Sequence, residues 1–274
     1  MTTEPRLRNV RDLPHALEAF EALGAALNGA VPAIFLDYDG TLTPIVDRPE
    51  NAILSAEGRA VVGALARRVP VAVVSGRDRP DVEALVGIDS LTFAGSHGFD
   101  IRTPEAGVLS LEGIGDYTAL MNDVERVLNE GLGPIAGALV ERKRFSAAAH
   151  YRLVSDADYP AFRAALDRLL ETVPGIKEKT GKKVFEFQPA IDWDKGKAVE
   201  HLLSTLKLDD AGHRPMFFGD DVTDEDAFGA LQGLGGVGVL AAPASDGDAG
   251  RVSAADFRVD NPDQVLELLR RLTP

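Results

Sequence analysis

Four short stretches, far apart in the chain, carry side chains suited to handling a phosphate ester. Asp37-Tyr38-Asp39-Gly40-Thr41 offers two carboxylates two residues apart. One carboxylate can attack phosphorus and form an acyl phosphate. A second carboxyl close by can give a proton to the leaving alkoxide and later take one from water. Gly219-Asp220-Asp221-Val222-Thr223-Asp224-Glu225-Asp226 adds an acidic cluster. Oxygen-only donor sets suit Mg²⁺, which commonly takes one or two carboxylates plus phosphate and waters. Asp37 and Asp220 together would make such a site. Asp224 to Asp226 alone would also suit a helix N-terminus, but that does not account for two carboxylates at the end of an apolar strand. Ser75 and Lys195, each taken alone, read as an N-cap and a solvated charge. Beside the acidic groups they supply what is missing: a hydroxyl for a phosphoryl oxygen and a cation to offset crowded anions.

These groups act together only if the fold brings them together. Ala33–Leu36, Val71–Val74, the stretch LTFAGSHG and Met216–Phe218 are short apolar runs ending in small or polar residues, as buried parallel strands do. Helical spacing covers residues 13–28, 55–68 with Ser55 as N-cap, and 78–87. This β–α–β–α–β order predicts an α/β fold with a Rossmann-like parallel sheet, whose ligand site lies at the carboxyl ends of its strands. The pattern changes near Thr103. A helix over 116–130, two alternating segments in ALVERKRFSAAAHYRLV, a helix in YPAFRAALDRLLETV and a strand pair in GIKEKTGKKVFEFQP form a separate α+β unit of about 85 residues. The expected organisation is a lead-in helix in residues 1–30, a core over 31–105 and 190–274, and an insertion over 106–189. DKGKAVEHLLSTL and PDQVLELLRRL read as helices, VGVLAAP and ADFRVD as short strands, and APASDGDAGRVS as a loop.

The net charge of −14 and pI near 4.8 exclude nucleic acid and anionic membranes as expected partners. They also oppose a phosphorylated substrate, so any phosphate site must be built locally from a cation, a metal or backbone N–H groups. With no cysteine, disulfides, thiolate catalysis and zinc–thiolate sites are excluded. No apolar stretch approaches the ~18 residues that cross a bilayer, and the N-terminus lacks the run of a signal peptide. A soluble, cytoplasmic, monomeric protein acting on a small molecule is expected.

Taken in order and in strand context, Asp37-x-Asp39-Gly-Thr, the Ser75 strand end, Lys195 and Gly219-Asp220-Asp221-x-x-Asp224 resemble the four motifs of haloacid dehalogenase-like phosphatases. The flanking VVSGR, GSHGFD, ERKRFSAAAHYR, GKKVFEFQP, WDKGKA and FFGDDVTDEDAF resemble the trehalose-6-phosphate phosphatase family, from about residue 33 to the C-terminus. The resemblance implies Asp37 as nucleophile, Asp39 as general acid/base, and Ser75 and Lys195 holding the phosphoryl group. It implies Mg²⁺ bound by the Asp37 side chain, the Asp39 carbonyl and Asp220, with Asp224 supporting them. The insertion would be a C2-type cap closing over the site. Glu141, Lys143, Arg152, Lys182, Lys183 and Glu186 in it would contact sugar hydroxyls or orient the cap. Arg77 and His97 are further candidates on the core side, and His97 also reads as a structural histidine. Asp100 departs from the Glu expected there, and Arg142 and Arg144 add charge around Lys143. The alternatives are a phosphatase for another sugar phosphate (sucrose phosphate or a glycosyl phosphoglycerate), a phosphomutase, and a non-catalytic sugar-phosphate sensor or regulatory subunit.

Overall fold

The computed structural model describes residues 5–46, 48–109, 117–181, 183–210, 212–244 and 250–273. The chain divides into two compact units, one of Met1–Ser110 with Trp193–Pro274, the other of Leu111–Asp192.

The first unit opens with β1 (Arg8–Asn9) and α1 (Phe20–Leu27). It continues through β2 (Val31–Leu36), α2 (Ala56–Ala66), β3 (Val71–Val74), α3 (Arg79–Val86), β4 (Thr92–Gly95), β5 (Asp100–Thr103) and β6 (Gly107–Leu109). Ser55 caps α2, its side chain accepting from the Gly58 N–H, which satisfies one of the helix's unpaired donors. The expected helix over 13–28 is shorter at its start. The backbone of residues 14–16 is used elsewhere: Ala16 N–H donates to the Arg258 carbonyl and Arg258 N–H to that of Pro14. A strand-like pairing there competes with helical bonds, and Leu13 and Ala16 are buried by it. Residues 107–109, placed in the insertion by sequence, are an edge strand of the large sheet.

The second unit runs α4 (Thr118–Leu132), β7 (Leu139–Arg142), β8 (Ala147–His150), α5 (Tyr159–Thr172), β9 (Ile176–Gly181) and β10 (Val184–Pro189). Its four strands form an antiparallel sheet in the order β7-β8-β10-β9. One face packs on the helices: Met121, Val124 and Leu128 of α4 and Phe162, Leu166 and Leu169 of α5 share a core with Ala147, Ala149, Phe185 and Phe187. Because strand side chains alternate, the cross-strand row Glu141, Ala148, Glu186, Lys179 lies on the other face. The start of the expected 116–130 helix and Lys182 lie outside the described residues.

The first unit resumes with α6 (Lys195–Thr205), β11 (His213–Gly219), α7 (Glu225–Leu234), β12 (Val237–Ala241), β13 (Val252–Ser253), β14 (Phe257–Val259) and α8 (Pro262–Leu272). Part of the expected loop, residues 245–249, is outside the described residues. The large sheet has the order β14-β12-β11-β2-β3-β4-β5-β6. It is parallel from β14 to β4 and antiparallel beyond. After β2 the chain moves toward β3 and β4, whereas after β11 it moves toward β12. The strand order therefore reverses between β2 and β11, the position where open α/β sheets bind ligands.

Candidate active site

The alternation of strand side chains places the first motif. Tyr38 turns inward, fully buried, and donates its hydroxyl to the Ala52 carbonyl at 2.6 Å. Burial pushes its phenol up to about 12. Asp37 and Asp39, one residue to either side, then face away from that anchor. Asp37 continues β2 and donates its N–H to the Phe218 carbonyl of β11 at 2.9 Å. That bond sets the end of β2 beside Gly219-Asp220.

Lys195, first residue of α6, reaches the same place. Asp194 caps the helix by accepting from the Lys197 N–H, so the lysine leaves the first turn toward the sheet. Its Nζ donates to Asp37 Oδ1 at 2.8 Å and to Asp224 Oδ1 at 2.5 Å. The ammonium is 3% exposed and Asp224 is 0% exposed. Asp224 Oδ2 accepts from the N–H groups of Asp220 (2.8 Å) and Asp221 (3.1 Å). Both Asp224 oxygens are thus used inside the protein, and the residue fixes the loop. Asp221 caps the turn that follows, accepting from Thr223 N. Part of the acidic run is therefore capping, as helix electrostatics alone would suggest.

Oxygens of Asp37, Asp220 and Asp224 lie within 4.8 Å of one another. Burial, then the charges of Asp224 and Asp220, hold the Asp37 carboxyl well above its ordinary value although Lys195 opposes this. Asp220 is pushed up to about 8, by burial first and then by Asp224 and Asp221. Burial pulls Lys195 down, but Asp224 and Asp37 outweigh it and hold the ammonium well above the usual lysine range. Asp37 and Asp224 are buried and Asp220 half-buried, and a hard divalent cation would suit three carboxyls gathered so closely. The loop leaves room for it. Gly40 has φ +80°, and a Cβ there would fall 2.1 Å from Asp220 Oδ2. Lys195 uses one oxygen of Asp37, and the Asp220 carboxylate has only the Thr41 hydroxyl, at 3.5 Å, as a donor among the described residues. Those two side chains have the oxygens least committed to donors within the protein, whereas both oxygens of Asp224 already accept.

Asp39 stands outside that acid group. Arg77 grips it with a fork, Nε to Oδ2 and Nη2 to Oδ1 both at 2.6 Å. Such bidentate pairs bind the ionised carboxylate tightly. Ser75, 1% exposed, ends β3 and accepts the Arg77 N–H on Oγ. His97 occupies a left-handed turn, φ +57°. Its N–H donates to the Ser75 carbonyl and its own carbonyl accepts from Trp193 Nε1. A Cβ on Gly76 would come within 2.8 Å of the His97 ring. His97 therefore supports the Ser75–Arg77 loop. Asp100, 3% exposed, is ion-paired with Arg79 at 3.0 Å, a length that its short side chain spans.

In the second unit Glu141, Lys143 and Glu186 come together. Lys143 Nζ lies 3.3 Å from Glu186 Oε1, which also accepts from the Ser146 hydroxyl at 2.7 Å. Glu141 contacts His150 at 2.8 Å. That hydrogen bond leads the influences that hold its carboxyl below the ordinary value. Lys183 is apart from this group, over the Tyr151 ring, which stacks on core Phe185. Arg152 is exposed just after β8. Arg142 lies 3.7 Å from Glu125, and Arg144 lies over the Phe145 ring. Ser146 and His150 were not singled out by sequence; their alternation with core residues Ala147 and Ala149 is the signal that could have placed them on the open face.

A largely parallel sheet bearing Asp-x-Asp, Ser, Lys and an acidic loop at the carboxyl ends of its central strands defines a haloacid dehalogenase-like phosphatase. The chain belongs to the trehalose-phosphatase family, whose sequence profile it matches over residues 35–263. It is 37% identical to a probable trehalose-phosphate phosphatase of Oryza sativa, over 94% of this chain and 74% of that protein. It is 41% identical to a Mycobacterium tuberculosis protein described as an uncharacterised glycosyl hydrolase, covering 96% of this chain and only 20% of that one. Among solved structures, an Aspergillus fumigatus trehalose-6-phosphate phosphatase superimposes with a TM-score of 0.67 at 28% identity, over 95% of this chain and 98% of that chain.

Proposed function

We propose that the protein hydrolyses trehalose 6-phosphate to trehalose and phosphate, with Mg²⁺ as cofactor and an aspartyl phosphate on Asp37 as intermediate. The observation that carries this reading is the buried Asp37–Lys195–Asp224 chain beside Asp220. Lys195 holds the Asp37 carboxylate at the strand end, where it attacks phosphorus in line. The sugar oxygen leaves with a proton from Asp39. Asp39 then takes a proton from water, which attacks the acyl phosphate, releases phosphate and restores Asp37. Both Asp39 oxygens are held by Arg77, so proton donation requires that fork to open, and the incoming phosphate offers the guanidinium another anion. Ser75 donates to a phosphoryl oxygen. Mg²⁺, held by Asp37, Asp220 and the Asp39 carbonyl, would neutralise the phosphoryl charge that carboxylates otherwise repel.

Glu141, Lys143 and Glu186, supported by Ser146 and His150, are the sugar-recognising face of the second unit. Their carboxylates and ammonium suit a polyol through charge-assisted hydrogen bonds. A phosphate-release screen tests the reading, with trehalose 6-phosphate, sucrose phosphate and a glycosyl phosphoglycerate as substrates. Release is expected from the first, lost in EDTA and restored by Mg²⁺. Undiminished turnover in a chelated sample removes the metal; preference for another ester reassigns the sugar; phosphate moved to a second hydroxyl marks a mutase.

A further inference from the structure

Arg251 lies outside the four motifs, 31 residues beyond Asp220 in the chain, yet it reaches the acidic loop. Its Nη2 donates to the backbone carbonyl of Asp220 at 2.6 Å. The N–H of that same residue is already held by Asp224 Oδ2 at 2.8 Å. The backbone of Asp220 is therefore gripped at both polar groups, N–H by a buried carboxylate and C=O by a guanidinium. A backbone rotation at Asp220 that would re-aim its side chain breaks one bond or the other.

Arg251 is itself held by the N-terminal segment. Val10 N–H donates to the Arg251 carbonyl at 3.0 Å. Beyond it, β1 pairs antiparallel with β13, Asn9 opposite Val252 and Arg8 opposite Ser253. The segment is anchored on both flanks. Arg8 Nη2 donates to the Ala255 carbonyl at 3.1 Å and to Asp256. Arg6 and the Gln232 side chain of α7 exchange two hydrogen bonds, of 2.8 and 2.9 Å. Val10 is buried. A two-residue strand adds little stability by itself, but it fixes the position from which Arg251 extends.

We infer that Arg251 is a positioning residue for the metal site, and that residues 5–12 act as a strap that sets it. The inference rests on the metal reading proposed above. A cation is bound tightly when its carboxylate ligand is already aimed, and groups that orient ligands from behind affect affinity strongly. A strap that merely tidied the sheet edge would change melting temperature and leave cation affinity alone.

Calorimetric titration of MgCl₂ into the full chain tests this, with melting temperatures measured in EDTA alongside. Arg251→Met is expected to weaken Mg²⁺ binding about 10- to 100-fold, with the metal-free melting temperature little changed. Arg251→Lys is expected to recover part of the loss, since an ammonium retains a donor but not the planar fork. Removing residues 1–10 should weaken binding similarly. Combined with Arg251→Met it should add little more, because the two act through one contact. If that shortened chain does not fold, Arg8→Ala loosens the strap while keeping its backbone pairing and carries the same prediction at smaller size. Binding by folded Arg251→Met within twofold of the parent would overturn the inference. A parent chain that binds no Mg²⁺ at all would overturn the metal reading with it.

Discussion

At the scale of single residues, the site separates two carboxylates that are near neighbours in sequence. Asp37 is buried and tied to Lys195, whereas Asp39 is 40% exposed in its side chain and tied to Arg77. The substitutions should separate accordingly. On the proposed mechanism Asp37→Asn removes the attacking oxygen, and turnover should fall to the uncatalysed level. On the same mechanism Asp39→Asn removes proton transfer, and with it one arm of the Arg77 fork, and should lower kcat by about 10²–10⁴. Steady-state phosphate release with rapid-quench detection of the acyl phosphate distinguishes them; full activity in Asp37→Asn would end the nucleophile assignment. The residues that meet at the sheet edge could be read in the sequence because phosphate chemistry demands those types directly after apolar strands. Arg251 could not. Its contact is with a backbone carbonyl, and any loop cation has the same signature.

At the scale of elements, α3 and β5 are joined by a small charge network. Glu83 accepts from Arg79 at 2.8 Å and from Arg102 at 2.7 Å, and Arg79 also meets Asp100. This braces the two loops that carry Ser75 and His97. Burial pushes the Glu83 carboxyl up, but the two guanidinium hydrogen bonds outweigh it and hold it below its ordinary 4.5. A depressed acid stabilises the fold above its unfolded value and loses that contribution as pH falls through the folded one. Glu83→Gln should therefore cost about 1–2 kcal/mol at pH 7, with the difference from the parent closing as pH falls below the ordinary glutamate value and through the depressed one. Urea melts across that pH range check this, and a gap of constant size would refute it. The parallel strands were legible from apolar runs with polar exits. The short strands β1, β5, β6 and β13 were not, because two to four residues carry too little pattern and their pairing is decided by distant partners. The same competition shortened α1, where backbone bonds to Arg258 displaced helical ones.

At the scale of the whole molecule, the acidic cluster is in one unit and the sheet face with Glu141, Lys143 and Glu186 is in the other. Chemistry and sugar recognition should then separate in kinetics. Glu186 lies beside Lys143 and Ser146 in the second unit. Glu186→Ala is expected to raise KM for trehalose 6-phosphate roughly tenfold or more, with hydrolysis of p-nitrophenyl phosphate little altered. Equal losses on both substrates would place Glu186 in the phosphoryl step instead. The inserted unit was legible because its alternating strands break the β–α rhythm. Its grouping of Glu141, Lys143 and Glu186 without Lys183 was not, since strand register decides which charges share a face.

The position of β11 bears on how the chain comes off the ribosome. That strand lies between β2 and β12, and its residues follow the whole inserted unit in sequence. Until residue 219 has emerged, the apolar strand 31–36 has β3 on one side and nothing on the other. A nascent chain stalled before that point carries a naked hydrophobic border, the kind of edge that recruits other chains. It also lacks two of the three clustered acids, so the cluster is complete only once residue 224 has been made.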